Sequence, residues 1–446
     1  MASIDQEAPE PVEVLVARAG EAVAAAAVDM LGGTYGRRVV VVAGKGNNGA
    51  DGRYAAGRLA RRGVRVTVVA AAALPDRLPD GLDLVIDAAY GTGFRGGYQA
   101  PDPRGVPVLA VDIPSGVDGL TGEAGAGAVR ADRTVTFAAL KPGLLFPPGR
   151  LLAGQIDVVD IGLDVSGATI GQVEWGDVDG WVPHREPDAH KWKSAVWVVA
   201  GSPGMTGAAF LAARAAMRAG AGTVRLGIPG VDPAPPFLEV VSRSLPVEGW
   251  DEDVVADLRR VRAIVVGPGL GRAEATCAAV RRLVAGPSGV PLAVDADGLY
   301  ALGTADEAAG ILGARSRAAV ATVLTPHDGE FERLAGHPPG PDRIAAARGL
   351  AARVGATVLL KGPTTVVAAP DGEVLLSREG DERLATAGTG DVLAGVVGAY
   401  LADGLDGLRA AAGAAFVHGW AGHLGWRHGL VAGDLLDLLP AVLARW

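Results

Sequence analysis

The run Ala387-Gly388-Thr389-Gly390-Asp391-Val392-Leu393-Ala394-Gly395 passes directly into helical sequence through Tyr400 and Leu401. Glycines leave amides bare at a helix start, where the amides and the helix dipole can cradle a phosphoryl group as its charge is redistributed. Asp391, at the same terminus, can take the proton from an acceptor hydroxyl. The same letters also describe an Asp-capped helix after a Gly-rich turn. Taken alone, the run favours that plainer reading, so its neighbours decide.

Upstream, Leu360-Lys361-Gly362-Pro363-Thr364-Thr365 lies between two predicted strands and offers a cation and hydroxyls of the kind that hold nucleotide phosphates. Earlier still, Thr325-Pro326-His327-Asp328-Gly329-Glu330 leaves another strand. No G-x-x-x-x-G-K-[ST] run is present, so a nucleotide would not bind through a P-loop. His184, His337, His418, His423 and His428 read as structural, and none has the spacing of a zinc site.

Working outward, short β-branched runs bounded by Gly, Pro or Asp alternate with Ala- and Leu-rich stretches of helical spacing, which predicts parallel sheets with crossover helices. The first half has predicted strands at Val39–Ala43, Val64–Ala70, Asp83–Asp87, Val106–Asp112, Thr134–Ala138 and Ile156–Asp160. In the second half they fall at Ala195–Ala200, Thr223–Ile228, Ala263–Gly267, Leu292–Asp295, Thr322–Thr325, Thr357–Lys361 and Thr365–Ala368. Between the sets, Asp164–His190 is rich in Gly and Pro and has little periodicity, so it reads as a linker. In open parallel sheets ligands sit beyond the carboxyl ends of the strands, which directs attention to the loops leaving them.

In the first half, strand Val39–Ala43 runs into Gly44-Lys45-Gly46-Asn47-Asn48-Gly49-Ala50-Asp51-Gly52. This contains G-x-G-x-x-G, but the next strand ends on no acidic residue to hold a ribose hydroxyl, which disfavours a plain NAD-dependent dehydrogenase. Two amides and a carboxylate beside bare backbone suit a cation or a phosphate, and equally suit a tight turn capped by Asp51. Two more oxygen-rich loops leave neighbouring strands at the same edge: Asp87-Ala88-Ala89-Tyr90-Gly91-Thr92-Gly93 and Asp112-Ile113-Pro114-Ser115-Gly116-Val117-Asp118. Three independent turns explain that convergence poorly. The run from Thr136 through Lys141 to Gly143 brings a lysine to another strand end.

That lysine counts because Arg carries most of the positive charge, leaving only Lys45, Lys141, Lys191, Lys193 and Lys361. The chain of 446 residues is long enough for two domains at about 100–200 residues each. With 49% hydrophobic and 20% charged residues it reads as globular. A net charge of -9 argues against a nucleic-acid-binding face and for small-molecule substrates. The single Cys277 allows no intramolecular disulfide, no apolar run approaches the about 18–20 residues of a membrane span, and Met1–Pro11 lacks secretory-signal features. A cytoplasmic protein is expected.

The N-N-G-x-D loop, the G-T-G loop, the Asp112 loop and Lys141 together resemble the NAD(P)H-hydrate epimerase domain over roughly Pro11–Leu163. The order His190-Lys191, Gly201-Ser202, Gly207-Ala208-Ala209, Gly220-Ala221-Gly222, Gly267-Pro268-Gly269-Leu270-Gly271, Asp295, P-H-x-G-E, K-G-x-x-T and G-T-G-D resembles the ribokinase-like NAD(P)H-hydrate dehydratase over roughly Gly176–Trp446. The resemblance implies two three-layer α/β domains, a Rossmann-like parallel sheet over residues 1–170 and a ribokinase-like domain over 171–446. It implies an enzyme that repairs hydrated NADH and NADPH, epimerising the R and S hydrates and dehydrating the S hydrate with ADP or ATP.

By position, the resemblance assigns the epimerase substrate contacts to Asn47, Asn48, Gly49, Ala50, Asp51, Gly91, Thr92, Gly93, Phe94, Arg95, Gly96, Gly97 and Asp112. Potassium ligands map to Asn48, Asp87 and Ser115. Proton transfer falls to Asp112, with Lys141 as second candidate. Nucleotide contacts fall on Lys361, Gly362, Pro363, Thr364, Thr365, Gly388, Thr389 and Gly390, and the hydrated dinucleotide on Ala208, Gly271, His327 and Asp391. Asp391 would activate the substrate hydroxyl for phosphoryl transfer, and Glu330 would help place magnesium.

Two departures stand out: Ala50 where the family usually has Gly, accommodated if φ there is negative, and Trp192 after Lys191 where Gly is usual. A ribokinase-like vitamin kinase fused to an unrelated module, and a catalytically dead N-terminal scaffold, are the rival readings. Neither predicts P-H-x-G-E alongside intact Asn48, Asp51, Asp112 and Ser115. Ala-rich helices near Val16–Leu31 and at the C-terminus could pack in a homo-oligomer, which is expected, or in the core.

Overall fold

The computed structural model describes residues 10–74, 77–93, 96–234, 237–286 and 289–445. Phe94 and Arg95 lie outside these residues. The chain divides into two compact units, Met1–Ala168 and Thr169–Trp446.

Unit 1 is built on a six-stranded sheet in the order β2-β1-β3-β4-β5-β6, with every neighbouring pair parallel. The strands are β1 (Arg38–Ala43), β2 (Arg65–Ala70), β3 (Leu84–Ala88), β4 (Val108–Val111), β5 (Arg133–Phe137) and β6 (Gln155–Val159). The central runs Val39–Val42, Leu84–Ile86 and Val108–Val111 are buried on both faces, as continuous β-branched sequence demands. Helices α1 (Val12–Leu31) and α2 (Asn47–Arg61) cover the face that carries Val39, Val41, Leu84 and Ile86. Connecting segments cover the other, with Leu78, Tyr98 and Val129 packed on Val40, Val85 and Val108.

The chain leaves β1 for β2 on one side and returns to β3 on the other, which makes the β1/β3 boundary the switch point where a crevice opens. Gly44 sits at that boundary. Its N–H donates to the Ala88 carbonyl at 2.9 Å, and a Cβ there would lie 1.9 Å from the Ala89 carbonyl oxygen, so only glycine fits.

Unit 2 holds a ten-stranded sheet in the order β10-β9-β8-β11-β12-β13-β14-β15-β16-β7. Its strands are β7 (Ile170–Gln172), β8 (Ala195–Val199), β9 (Thr223–Pro229), β10 (Val241–Leu245), β11 (Ala263–Val266), β12 (Leu292–Val294), β13 (Thr322–Leu324), β14 (Thr357–Leu360), β15 (Thr365–Ala368) and β16 (Val374–Ser377). Only the β14–β15 and β15–β16 pairs are antiparallel. The switch point here lies between β8 and β11, where the Gly201 N–H donates to the Pro268 carbonyl at 2.7 Å.

Helices α3 (Thr206–Arg218), α5 (Thr389–Ala402), α6 (Gly407–Leu424) and α7 (Ala432–Leu443) share one core, while α4 (Asp328–Ala335) follows β13. In α5 every residue from Val392 to Ala402 is buried, as a helix apolar on all sides requires. Each fully buried Val or Leu there contributes about 1.5–3 kcal/mol. No helix among the described residues is long and apolar enough to cross a membrane.

The Asp164–His190 reading as a linker is corrected. Ile170–Gln172 pairs in parallel with β16, and the helix Trp175–Trp181 buries Val178 and stacks Trp175 on Phe416 and Trp420. A three-residue edge strand centred on Gly171, followed by a seven-residue helix closed by a Glu174/Asp177 capping box, is too short to show a period. Strand β10 escaped for a related reason: Val241-Ser242-Arg243-Ser244 is an exposed edge without an apolar face.

Candidate active sites

In unit 1 a cleft of about 840 Å³ opens at the switch point, within the range of small-molecule sites. Asn48 and Asp51 enter it from the first two turns of α2, Asp112 from the end of β4 and Lys141 from the segment after β5. Two unusual turns aim the last two. Asp112 has φ +65° and is bridged by a hydrogen bond from Ile113 N–H to the Val111 carbonyl at 2.8 Å. Ala138 has φ +60° and is bridged from Ala139 N–H to the Phe137 carbonyl at 2.7 Å. Three-residue turns with positive φ are strained for residues with a Cβ, and such strain concentrates at functional sites.

The result is a Lys141 Nζ to Asp112 Oδ1 ion pair of 2.6 Å, with Nζ also donating to the Phe137 carbonyl at 2.8 Å. Thr136 Oγ1 adds a 3.2 Å hydrogen bond to Asp112. Asp51 is 7% exposed, and its pKa is pushed up to about 8, by burial first and by the charge of Asp112 second. Both amide atoms of Asn48 are buried without a hydrogen-bond partner among the described residues. A Cβ on Gly91 would lie 3.6 Å from both Asn48 Cγ and Asp112 Oδ2, so the G-T-G loop meets the N-N-G-x-D loop over this carboxylate. Gly96 has positive φ and Gly97 is exposed. Ala50 lies inside α2 without a positive φ, which accommodates its methyl.

Asp87, on β3, and Ser115, in the loop after β4, come together. Ser115 Oγ donates to Asp87 Oδ1 at 2.7 Å and its N–H to Oδ2 at 2.8 Å. Burial pushes the Asp87 carboxyl up to about 6 against the Ser115 hydrogen bonds, and no cation pairs with it among the described residues. Asp87 also lines a cavity of about 570 Å³.

In unit 2 charged groups gather at the N-terminus of α5. Lys361 Nζ meets Asp295 Oδ1 at 2.6 Å, and Thr325 Oγ1 donates to the same oxygen at 2.6 Å. Burial opposes the charge of Lys361, but Asp295, Glu330 and Asp391 outweigh it and raise its pKa. Asp391 is pushed up to about 6, by burial first and then by Asp295, with Lys361 pulling back. A carboxyl titrating there is suited to a general base near neutrality. Gly388, with φ +90°, starts the helix, and a Cβ on Gly390 would lie 3.4 Å from Lys361 Nζ.

The remaining predicted residues divide. Gly271 N–H donates to Asp297 Oδ2 at 2.9 Å, Ser202 Oγ donates to the Gly269 carbonyl at 2.9 Å, and a Cβ on Gly269 would lie 3.0 Å from that of Ala208, so these loops meet at the switch point. Thr389 turns its hydroxyl inward to the Leu384 and Thr386 carbonyls. Thr364 is buried and Thr365 opens β15. His327 caps α4: its Nδ1 accepts from the Gly329 and Glu330 amides, which assigns a ring proton to Nε2 in the neutral ring. Glu330 closes that cap by accepting from the His327 N–H at 3.0 Å through Oε2, and its Oε1 lies 3.6 Å from His327 Nε2. His418 is structural: burial lowers its pKa to about 4, against the Thr389 backbone. Sequence reasoning gave Asp295 no role, although it ends a strand beside a lysine loop.

Known proteins align with both units. A family model described as NAD(P)H-hydrate dehydratase matches residues 196–441, and one described as YjeF-related protein N-terminus matches 12–82 and 71–143. The bifunctional NAD(P)H-hydrate repair enzyme Nnr of Salinibacter ruber is 39% identical over 98% of this chain and 92% of its own length. Its counterpart in Mycobacterium tuberculosis is 42% identical over 85% of this chain and 82% of its own length. The crystal structure of the ADP/ATP-dependent NAD(P)H-hydrate dehydratase of Bacillus subtilis, obtained with ATP and Mg2+, superposes with a TM-score of 0.52 at 30% identity, covering 62% of this chain and 98% of that one. A ribokinase-like protein of Enterococcus faecalis, at 21% identity and TM-score 0.52, has the same fold. With two strand-end sites in two α/β units and relatives matching along nearly its whole length, the chain belongs to the family of bifunctional NAD(P)H-hydrate repair enzymes.

Proposed function

We propose that residues 1–170 interconvert the R and S hydrates of NADH and NADPH and that residues 171–446 use ATP or ADP to dehydrate the S hydrate. The observation that carries this reading is the Lys361–Asp295 pair beside Asp391 and the bare amides of Gly388–Gly390. Asp391 takes the proton from the hydrate hydroxyl, whose oxygen attacks the terminal phosphoryl group; the diphosphate or monophosphate of the nucleotide leaves. Phosphorylation turns hydroxide into a good leaving group. Loss of phosphate, with loss of a proton from the neighbouring carbon, restores the ring double bond. Lys361, Gly362, Pro363, Thr364 and Thr365 hold the nucleotide with Gly388, Thr389 and Gly390, and Ala208, Gly271 and His327 flank the hydrate.

In the other half, Asn47–Asp51, Gly91–Gly97 and Asp112 contact the hydrate, and Asp112 exchanges protons at the hydroxyl-bearing carbon with Lys141 positioned against it. Potassium fits the oxygen donors: the unpartnered Asn48 amide and the buried Asp87 carboxylate with Ser115 would hold it, supplying positive charge to the wall of the site. Magnesium fits Glu330, a carboxylate close enough to Lys361 to act on its charge, which would join nucleotide phosphates in holding the ion, supplying charge neutralisation. Exposed Val12 and Val14 on α1 and Val68 on β2 favour a homo-oligomer, and the lone Cys277 favours the cytoplasm. The test is an incubation with hydrated NADH, with and without ATP or ADP. Recovery of reduced-nicotinamide absorbance only with nucleotide is expected; equal recovery without it would remove the nucleotide from the reaction.

A further inference from the structure

Near the unit 2 site stands a cluster that the chemistry above leaves unused. Arg272 follows Gly271 in the loop after β11, Tyr300 lies on the helix Asp297–Leu302, and Arg333 lies on α4. The guanidinium carbons of both arginines lie 4.7 Å from the centre of the Tyr300 ring. Arg272 is paired with Asp297 at 2.9 Å, the carboxylate that also accepts from Gly271 N–H and acts electrostatically on Asp391. Among the described residues Arg333 has no equivalent ion-pair partner. Its Nε and Nη2 are buried and without a hydrogen bond among the described residues. Burial lowers its pKa, Glu330 opposes that, and the charge of Arg272 adds to it.

Two like charges crowded on one ring, one of them with buried donors unsatisfied, cost stability unless an anion completes them. Guanidinium forks match phosphate oxygens in geometry as well as charge. The Arg272 side chain is 60% exposed and Tyr300 is 36% exposed, so the cluster faces solvent on that side. Nucleotide phosphates already have Lys361 and the α5 amides. We propose that Arg272 and Arg333, stacked on Tyr300, clasp a phosphate group of the hydrated dinucleotide. The proposal rests on the reading of this half as the dehydratase. The chemistry is shared by two sources in the substrate: the pyrophosphate bridge of both hydrates and the additional ribose phosphate of hydrated NADPH.

The experiment uses the full-length protein with Arg272→Gln and Arg333→Gln, and measures kcat and KM for the S hydrates of NADH and NADPH at saturating ATP. The expected result is a KM raised by about tenfold or more with kcat changed by about twofold at most. A rise for both hydrates assigns the clasp to the pyrophosphate, and one confined to hydrated NADPH assigns it to the ribose phosphate. Unchanged KM for both hydrates, or a rise in the KM of ATP instead, overturns the proposal. Arg333→Lys keeps the charge without the fork and is expected to recover part of the affinity; the retained kcat of dehydration reports that unit 2 of the variants is folded. If the wild-type protein dehydrates neither hydrate, the dehydratase reading itself fails, whereas an active wild type with unaffected variants sinks the clasp alone.

Discussion

The two sites use the same three parts and differ in how far a lysine reaches. In unit 1 Lys141 pairs with Asp112 at 2.6 Å while Asp51 stays buried nearby; in unit 2 Lys361 pairs with Asp295 at 2.6 Å while Asp391 stays half-buried nearby. Lys361 also pulls Asp391 back, so burial and Asp295 raise it only to about 6. No side-chain cation among the described residues acts on Asp51, which burial and Asp112 raise to about 8. At neutral pH one unpaired carboxyl is therefore mostly a base and the other mostly an acid. A single arrangement of two carboxylates and a lysine yields opposite protonation states through the reach of one charge.

The largest effect that would break this comparison is expected from Asp391→Ala, which should lower nucleotide-dependent dehydration by about 10²- to 10⁴-fold while epimer exchange continues. Undiminished dehydration would remove Asp391 from its role. Next, Asp112→Ala should reduce epimer exchange by about 10²-fold, towards the spontaneous rate, and leave dehydration of the S hydrate intact. Exchange persisting well above that rate would put the site elsewhere.

The pH dependence sharpens the contrast. Asp391 must lose its proton to act, so dehydration should fall as pH drops through about 6. Asp51, a substrate contact, can donate a hydrogen bond to the hydrate only while protonated, so exchange should fall as pH rises through about 8. Asp51→Asn should slow exchange and erase the upper limb, and a limb that persisted in that variant would belong to another group. The smallest effect, about a fewfold, is expected from replacing potassium with lithium: exchange slows and dehydration does not. Rates unaffected by the swap would argue against an ion at Asn48, Asp87 and Ser115.

Much of this architecture is legible in the sequence because strand ends carry both the fold and the chemistry. The valine run of β1 stops where Gly44 must pass close to the Ala89 carbonyl, and the loops after β1, β3 and β4 converge because parallel order sends them to one edge. Lys141 stands out through the scarcity of lysine, and the structure sets it against Asp112. Other features have no local signal. The positive φ of Asp112 and Ala138 is imposed by neighbouring strands on residues that rarely adopt it. Tyr300 sits between Arg272 and Arg333 in sequence, but tens of residues from each, so only the fold joins them. Asp295 ends a three-residue strand, and its role is set by Lys361, 66 positions further on.

The central claim is that the hydrate hydroxyl receives a phosphoryl group at the start of α5. It is tested most directly with S hydrate carrying heavy oxygen in that hydroxyl, incubated in ordinary water with ATP and the full-length Asp112→Ala protein, in which exchange at the other site is suppressed. The account predicts that the label leaves in inorganic phosphate as NADH forms. Label released into water, with unlabelled phosphate, would contradict it.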